Sequence, residues 1–190
     1  MTLLVIACGA VAREVRAVAD QLPAIELRCI PATLHNEPQK IVPAVEAILD
    51  EAEHDSAVLA LGDCGTGGGL DRLCARRGVE RLPGAHCYSF FAGADAFDAV
   101  MEDELGTFFL TDFLARQFDT LVIKPLGLDR KPELRDMYFG HYTRLVFLSQ
   151  QADAALLAKS EAASEMLGLR FEHRPTGLAP FARELARLAA

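Results

Sequence analysis

Four residues able to bind a soft metal stand at or just beyond the ends of strand-like runs of the chain. Cys8 closes Leu3-Leu4-Val5-Ile6-Ala7, and Cys64 follows Ala57-Val58-Leu59-Ala60-Leu61-Gly62-Asp63. His35 follows the run Ile25 to Ile30, and Cys87 follows Val79-Glu80-Arg81-Leu82 by way of Pro83-Gly84-Ala85-His86. Thiolate and imidazole suit zinc, and a set of three cysteines also suits other soft metals or an iron–sulfur cluster. The cysteines are not paired as CxxC, so spacing names no metal; the shared position after a strand is what points to a site. His86 is the alternative to His35 as fourth group. A cysteine nucleophile at 64 or 87, activated by either histidine, draws on the same residues but accounts for one cysteine rather than three.

Other residues receive plainer readings. Cys29 lies inside a strand-like run and Cys74 inside a helical pattern, so both are expected to pack as small hydrophobes. His54, His141 and His173 are expected to face solvent or pack locally. Glu14, Asp63, Thr66 and Tyr88 flank the candidate ligands. They are candidates for substrate binding, with helix capping and loop hydrogen bonding as the competing role. The run Asp63-Cys64-Gly65-Thr66-Gly67-Gly68-Gly69 precedes a helix, and its N–H groups are placed to cradle an anion. It is neither GxxxxGK[ST] nor GxGxxG, so it carries no nucleotide-binding signature, and a loop kept narrow for an approaching ligand is the simpler reading.

Something must hold these residues together. Strands at 3–8, 25–30, 57–62 and 79–82 alternate with helical patterns at 10–22, 38–53 and 70–77, the first of them ended by Pro23. Strand–helix alternation of this kind predicts a Rossmann-like parallel sheet with helices on both faces, because parallel strands need crossovers. Ligands of such sheets bind at the carboxyl ends of the strands, where all four candidates fall. The second half reads as a helix over 88–104, then a strand or loop at 107–111 and a helix over 111–118. Strands at 121–124 and 144–148 flank a polar stretch, and helices over 151–167 and 178–189 enclose a strand at 169–172. No linker or internal repeat divides the 190 residues. They are expected to form a single α/β domain, with lobes at about 1–110 and 111–190 as the finer division.

Composition narrows the partners. The chain is 51% hydrophobic and 24% charged, which is ordinary for a globular protein. Its formal charge of −8 argues against nucleic-acid binding, which needs a basic face, and favours a small-molecule substrate or a protein partner. The apolar run after Met1 is too short to span a membrane and has no basic flank or cleavage site, so a cytoplasmic protein with no membrane partner is expected. In that compartment five cysteines imply thiols or ligands rather than a disulfide framework. An oligomer is compatible with all of this.

Several motifs carry a resemblance over nearly the whole length. Cys8 to Glu14, Leu34-His35-Asn36-Glu37-Pro38, Asp63 to Gly68 and Pro83 to Tyr88 occur in the order found in domain-of-unknown-function family 1638. So do Gly106 to Asp112, Gly127-Leu128-Asp129 and Met137-Tyr138-Phe139-Gly140. Such proteins are often encoded near corrinoid-dependent methyltransferases, so the resemblance implies corrinoid-linked one-carbon metabolism. A corrinoid protein is then the partner it implies, and a corrinoid a further cofactor, although no corrinoid-binding signature is present. The function expected is a metal-binding protein, with Cys8, Cys64, Cys87 and His35 as ligands and zinc foremost, acting as a methyltransferase. A non-catalytic accessory that delivers metal or stabilises a methyltransferase complex is the alternative.

Overall fold

The structure, a computed structural model, describes residues 2–19, 22 and 24–190. The helix end expected at Pro23 lies outside the described residues. The chain forms two compact units, one of residues 1–94 with 178–190 and one of residues 95–177. The contacts therefore part between 94 and 95, not near 110, and the last helix returns to the first unit. Among the described residues, no helix is long and apolar enough to cross a membrane.

In the first unit four strands, β1 (Leu3–Cys8), β2 (Ile25–Ile30), β3 (Ser56–Ala60) and β4 (Glu80–Arg81), form a parallel sheet in the order β2-β1-β3-β4. β1 is buried at all six positions, which explains its unbroken apolar run: a central parallel strand is covered on both faces. β2 lies at one edge and leaves Arg28 and Cys29 exposed. Crossovers run through α1 (Ala12–Val18), α2 (Ile41–Glu51) and α3 (Gly69–Arg77). α2 buries Ile41, Val45 and Leu49 at four-residue spacing, and α3 buries Leu70, Leu73 and Cys74 before stopping at left-handed Gly78. The chain leaves β1 to one side for β2, then crosses back to the other side for β3. This order makes the crevice between the carboxyl ends of β1 and β3 a topological switch point, where open parallel sheets bind ligands.

The helix expected over 88–104 is two helices, α4 (Cys87–Ala92) and α5 (Ala94–Asp103). Gly93, at φ 87°, takes a conformation that breaks the first helix. α9 (Ala179–Ala189) packs on α4 in the first unit, with Phe181 meeting Phe90 and Phe91 at ring separations of 5.8 and 5.4 Å. That aromatic cluster anchors the helix whose first residue is Cys87.

The second unit carries a parallel sheet in the order β5-β6-β7, with β5 Thr107–Thr111, β6 Arg144–Ser149 and β7 Arg170–Pro175. α6 (Asp112–Arg116), α7 (Arg135–Phe139) and α8 (Ala154–Leu167) complete it. Arg144 is buried, but its guanidinium is satisfied by Thr107 Oγ1 at 2.8 Å, Val100 O at 2.8 Å, Asp103 at 3.0 Å and Glu172 at 3.2 Å. A buried charge is tolerable on those terms. The strand expected at 121–124 is absent: Asp119–Ile123 is a π-helical turn, closed by Lys124 N–H on Asp119 O at 2.9 Å. Phe118, Val122 and Ile123 are buried from that turn, so the apolar run came from a helical face. So short a run fits a strand or a buried helical turn equally well.

Candidate metal centre

Each candidate ligand owes its place to a specific local feature. Cys8 ends β1 and caps the turn that follows; its sulfur accepts the Ala10 N–H at 3.3 Å. His35 sits in a 3-10 turn at Ala32–Asn36, just past β2, with its ring exposed. Its Nδ1 lies 2.9 Å from Ala32 O and 3.9 Å from Cys8 Sγ. Two ligands of one tetrahedral zinc, at ordinary Zn–S and Zn–N lengths, stand about 3.6 Å apart. The Cys8–His35 pair is thus within a few tenths of an ångström of ligand spacing.

Cys64 lies four residues past the end of β3 and is buried. Its φ of 53° makes it the one non-glycine residue in the left-handed region among the described residues. Such a conformation costs an ordinary residue about 1–2 kcal/mol and tends to persist where its surroundings impose it. The surroundings here are backbone: Cys64 N–H donates to Ala85 O at 2.9 Å, and Asp63 N–H donates to Gly84 O at 3.0 Å. Gly62 permits this stitching, since a Cβ there would lie 3.2 Å from Gly84 O and from the backbone of His86. The loop of Cys64 is thereby tied to the loop that leads into Cys87.

All three thiols are raised above their ordinary pKa, first by burial. Burial pushes Cys8 from 9.0 up to about 12, with the Ala10 hydrogen bond opposing and the charges of Cys64 and Cys29 adding. Burial pushes Cys64 up to about 11, opposed by a backbone hydrogen bond from Gly62; Asp63 raises it further and Arg81 lowers it. Cys87, half-buried, is also raised, first by desolvation and then by Cys64, Cys8 and the buried Glu14. Burial disfavours all three thiolates, and neighbouring cysteines add to this at Cys8 and Cys87, so the metal-free residues are held as thiols. The donor set fits a soft cation, whose charge would offset that penalty. It is not preassembled: among the described residues no three His, Cys, Asp or Glu side chains stand grouped as a ligand set. The Cys8–His35 pair comes nearest to ligand spacing among the contacts described above.

A family model described as "Protein of unknown function (DUF1638)" matches residues 29–185. The chain belongs to that family. The matched span includes His35, Cys64 and Cys87 and begins downstream of Cys8. No curated protein and no solved structure matches the chain.

The residues proposed to touch substrate in this DUF1638 chain divide into two kinds. The Asp63 carboxylate accepts the Thr66 hydroxyl at 2.6 Å and the N–H groups of Gly68 and Gly67 at 2.9 and 3.1 Å. Burial raises its pKa, but these hydrogen bonds outweigh that and hold it below the usual 3.8. Thr66 Oγ1 in turn accepts Leu70 N–H at 3.3 Å, at the start of α3. Asp63 and Thr66 therefore shape the loop, and the N–H groups of Gly67 and Gly68 that looked suited to an anion are already taken by Asp63. Glu14 is buried on α1 within electrostatic reach of Cys87, and Tyr88 follows Cys87 on α4.

His86 is exposed at the cap of α4, its ring 6.1 Å from that of Tyr88, whereas His35 is the histidine in contact with a candidate thiol. Cys74 is buried in the core as expected, but Cys29 is exposed on the edge strand. An alternating run leaves open which of its faces is covered, which is why Cys29 was misplaced. Sequence reasoning also missed Arg81, a residue inside a two-residue strand with no motif to mark it.

Proposed function

We propose that this chain binds a thiophilic divalent cation, zinc foremost, through Cys8, Cys64 and Cys87, with His35 closing the site. We propose further that the site serves methyl transfer in corrinoid-linked one-carbon metabolism. The observation that carries the reading is the 3.9 Å approach of Cys8 Sγ and His35 Nδ1 at the carboxyl edge of one parallel sheet, with Cys64 and Cys87 on two loops that are hydrogen-bonded to each other at that edge.

The chain's own residues prepare the site in three ways. β1 and the stitched loops after β3 and β4 fix Cys8 and Cys64, while the aromatic packing beneath α4 anchors Cys87. Burial excludes water from Cys8 and Cys64 and keeps them protonated until a cation displaces the protons. Three thiolates and His35 fill a tetrahedral zinc, so a reactive site requires the exposed His35, held by Ala32 O, to be the group that yields its position to a substrate. A bound zinc supplies Lewis acidity and lowers the pKa of a thiol that joins it.

The test is metal analysis of anaerobically purified protein, followed by cobalt substitution and assay with a methylated corrinoid protein and thiol acceptors. About one metal per chain, with thiolate-to-cobalt absorption and methyl transfer, is the expected result. Metal held without any transfer assigns the chain to metal delivery or assembly instead. Protein that neither retains nor takes up a thiophilic cation removes the proposal.

A further inference from the structure

We infer that Arg81 is a positioning residue of this site, locking together the two loops that present Cys64 and Cys87; the inference rests on the metal-site reading above. β4 is only two residues long, and its register with β3 covers Val58↔Glu80 and Leu59↔Arg81. Beyond Leu82 N–H on Leu59 O at 2.9 Å, the ladder ends and the chain turns through Pro83 and Gly84 toward Cys87. So short an edge strand cannot by itself fix the loop that follows it.

Arg81 takes over at that point. Its Nη1 donates to two carbonyls of the turn, Leu82 O at 2.7 Å and Gly84 O at 3.1 Å. The other side of the guanidinium is held by Asp71 on α3, Nε to Oδ1 at 2.6 Å and Nη2 to Oδ2 at 3.1 Å. The side chain is 14% exposed, while that of Asp71 is 57% exposed. Gly84 O is the junction: it accepts from Arg81 and also from Asp63 N–H, next to the Cys64 N–H on Ala85 O. One planar group therefore ties α3, the turn before α4 and, through a shared acceptor, the loop of Cys64. Only a fork of fixed N–H directions serves both sides at once; a lysine ammonium is a single point and cannot.

A purely structural arginine would affect stability and leave the thiol geometry of folded protein unchanged. R81Q and R81K, with D71N as a gentler release of the same clamp, are compared with the parent in two measurements. Cobalt titration of metal-free protein reads affinity and, from the thiolate charge-transfer intensity per bound cobalt, how many sulfurs reach the ion. Phenylarsine oxide, which condenses with two neighbouring thiols and releases water, reads the proximity of Cys64 and Cys87 without any divalent cation when parent and variants carry Cys8→Ser and Cys29→Ser.

R81Q and R81K are expected to lose at least tenfold in cobalt affinity, to show a lower intensity per cobalt, and to capture the arsenical several-fold more slowly. D71N is expected to fall between them and the parent, and it decides the matter should R81Q fail to fold. Folded variants with parental affinity, intensity and capture overturn the inference. A parent that ignores cobalt but captures the arsenical, with capture lost in R81Q, removes the metal reading and leaves the positioning role standing. A parent that does neither removes both.

Discussion

Nδ1 of His35 lies between two acceptors, the Ala32 carbonyl at 2.9 Å and the Cys8 sulfur at 3.9 Å. A neutral ring that donates from Nδ1 to Ala32 O keeps its lone pair on Nε2, so binding a cation through Nδ1 requires that hydrogen bond to break. The histidine is therefore a weaker contributor than the buried thiols. His35→Ala is expected to weaken cation affinity roughly tenfold, the low end of what losing one supporting group at a metal site costs. Thiolate-to-cobalt intensity should stay near the parental value. Parental affinity in a direct titration would remove His35 from the site.

The buried thiols also predict how stability depends on pH. Cys8 moves from 9.0 to about 12 and Cys64 from 9.0 to about 11 on folding, so the folded chain holds protons that the unfolded chain releases first. The stability that this contributes is complete below pH about 9 and disappears as pH climbs through the folded values. At about 1.4 kcal/mol per unit, Cys8 alone is worth on the order of 4 kcal/mol. Denaturant titrations of reduced, metal-free protein should show stability falling between about pH 9 and 12. Cys8→Ser should flatten that fall, and a parental profile that stays level across the range contradicts the burial argument.

Cys64 supplies a separate test through its backbone. Its φ of 53° is expensive for any residue with a Cβ, and glycine avoids that expense. Cys64→Gly and Cys64→Ala both remove the thiol, so their difference isolates the conformation. The glycine variant should be the more stable by about 1 kcal/mol, after allowing for the entropy glycine loses on folding. Equal thermal stability, or a more stable alanine variant, would show that the left-handed conformation at Cys64 is not maintained.

The periodicities of the sequence made the first sheet legible because β1 and β3 are short apolar runs closed by loops, β2 alternates, and amphipathic helices lie between them. Positions 8, 35, 64 and 87 were visible for the same reason, since the end of a parallel strand is a place that sequence can mark. Other features depend on contacts between distant segments, and these leave no local trace. Arg81 reads as an ordinary strand residue until the turn at 82–84 folds back onto it. For Asp63 and Thr66 the sequence leaves substrate binding and loop hydrogen bonding level, because both call for the same side chains; the structure shows the loop bonds. The π-helical turn at Asp119–Ile123 shows an apolar run, and its helical character lies in a backbone bond.

Serine substitution of all five cysteines separates ligands from packing. Cys8→Ser, Cys64→Ser and Cys87→Ser should each lower the metal retained per chain sharply, because a hydroxyl is a poor ligand for a soft cation. Cys29 is exposed on β2, so Cys29→Ser should change neither metal nor stability. Cys74 is buried among Leu70 and Leu73 on α3, and its replacement should cost about 1–3 kcal/mol for the buried hydroxyl while leaving metal in place. That variant controls for instability: a protein weakened far from the site should still fill it. Metal content and denaturant midpoint, measured on the same anaerobic preparations, give both readings together. If metal content instead follows stability across the five variants, with Cys74→Ser losing as much metal as Cys64→Ser, then the cluster is a set of packed thiols and the site does not exist.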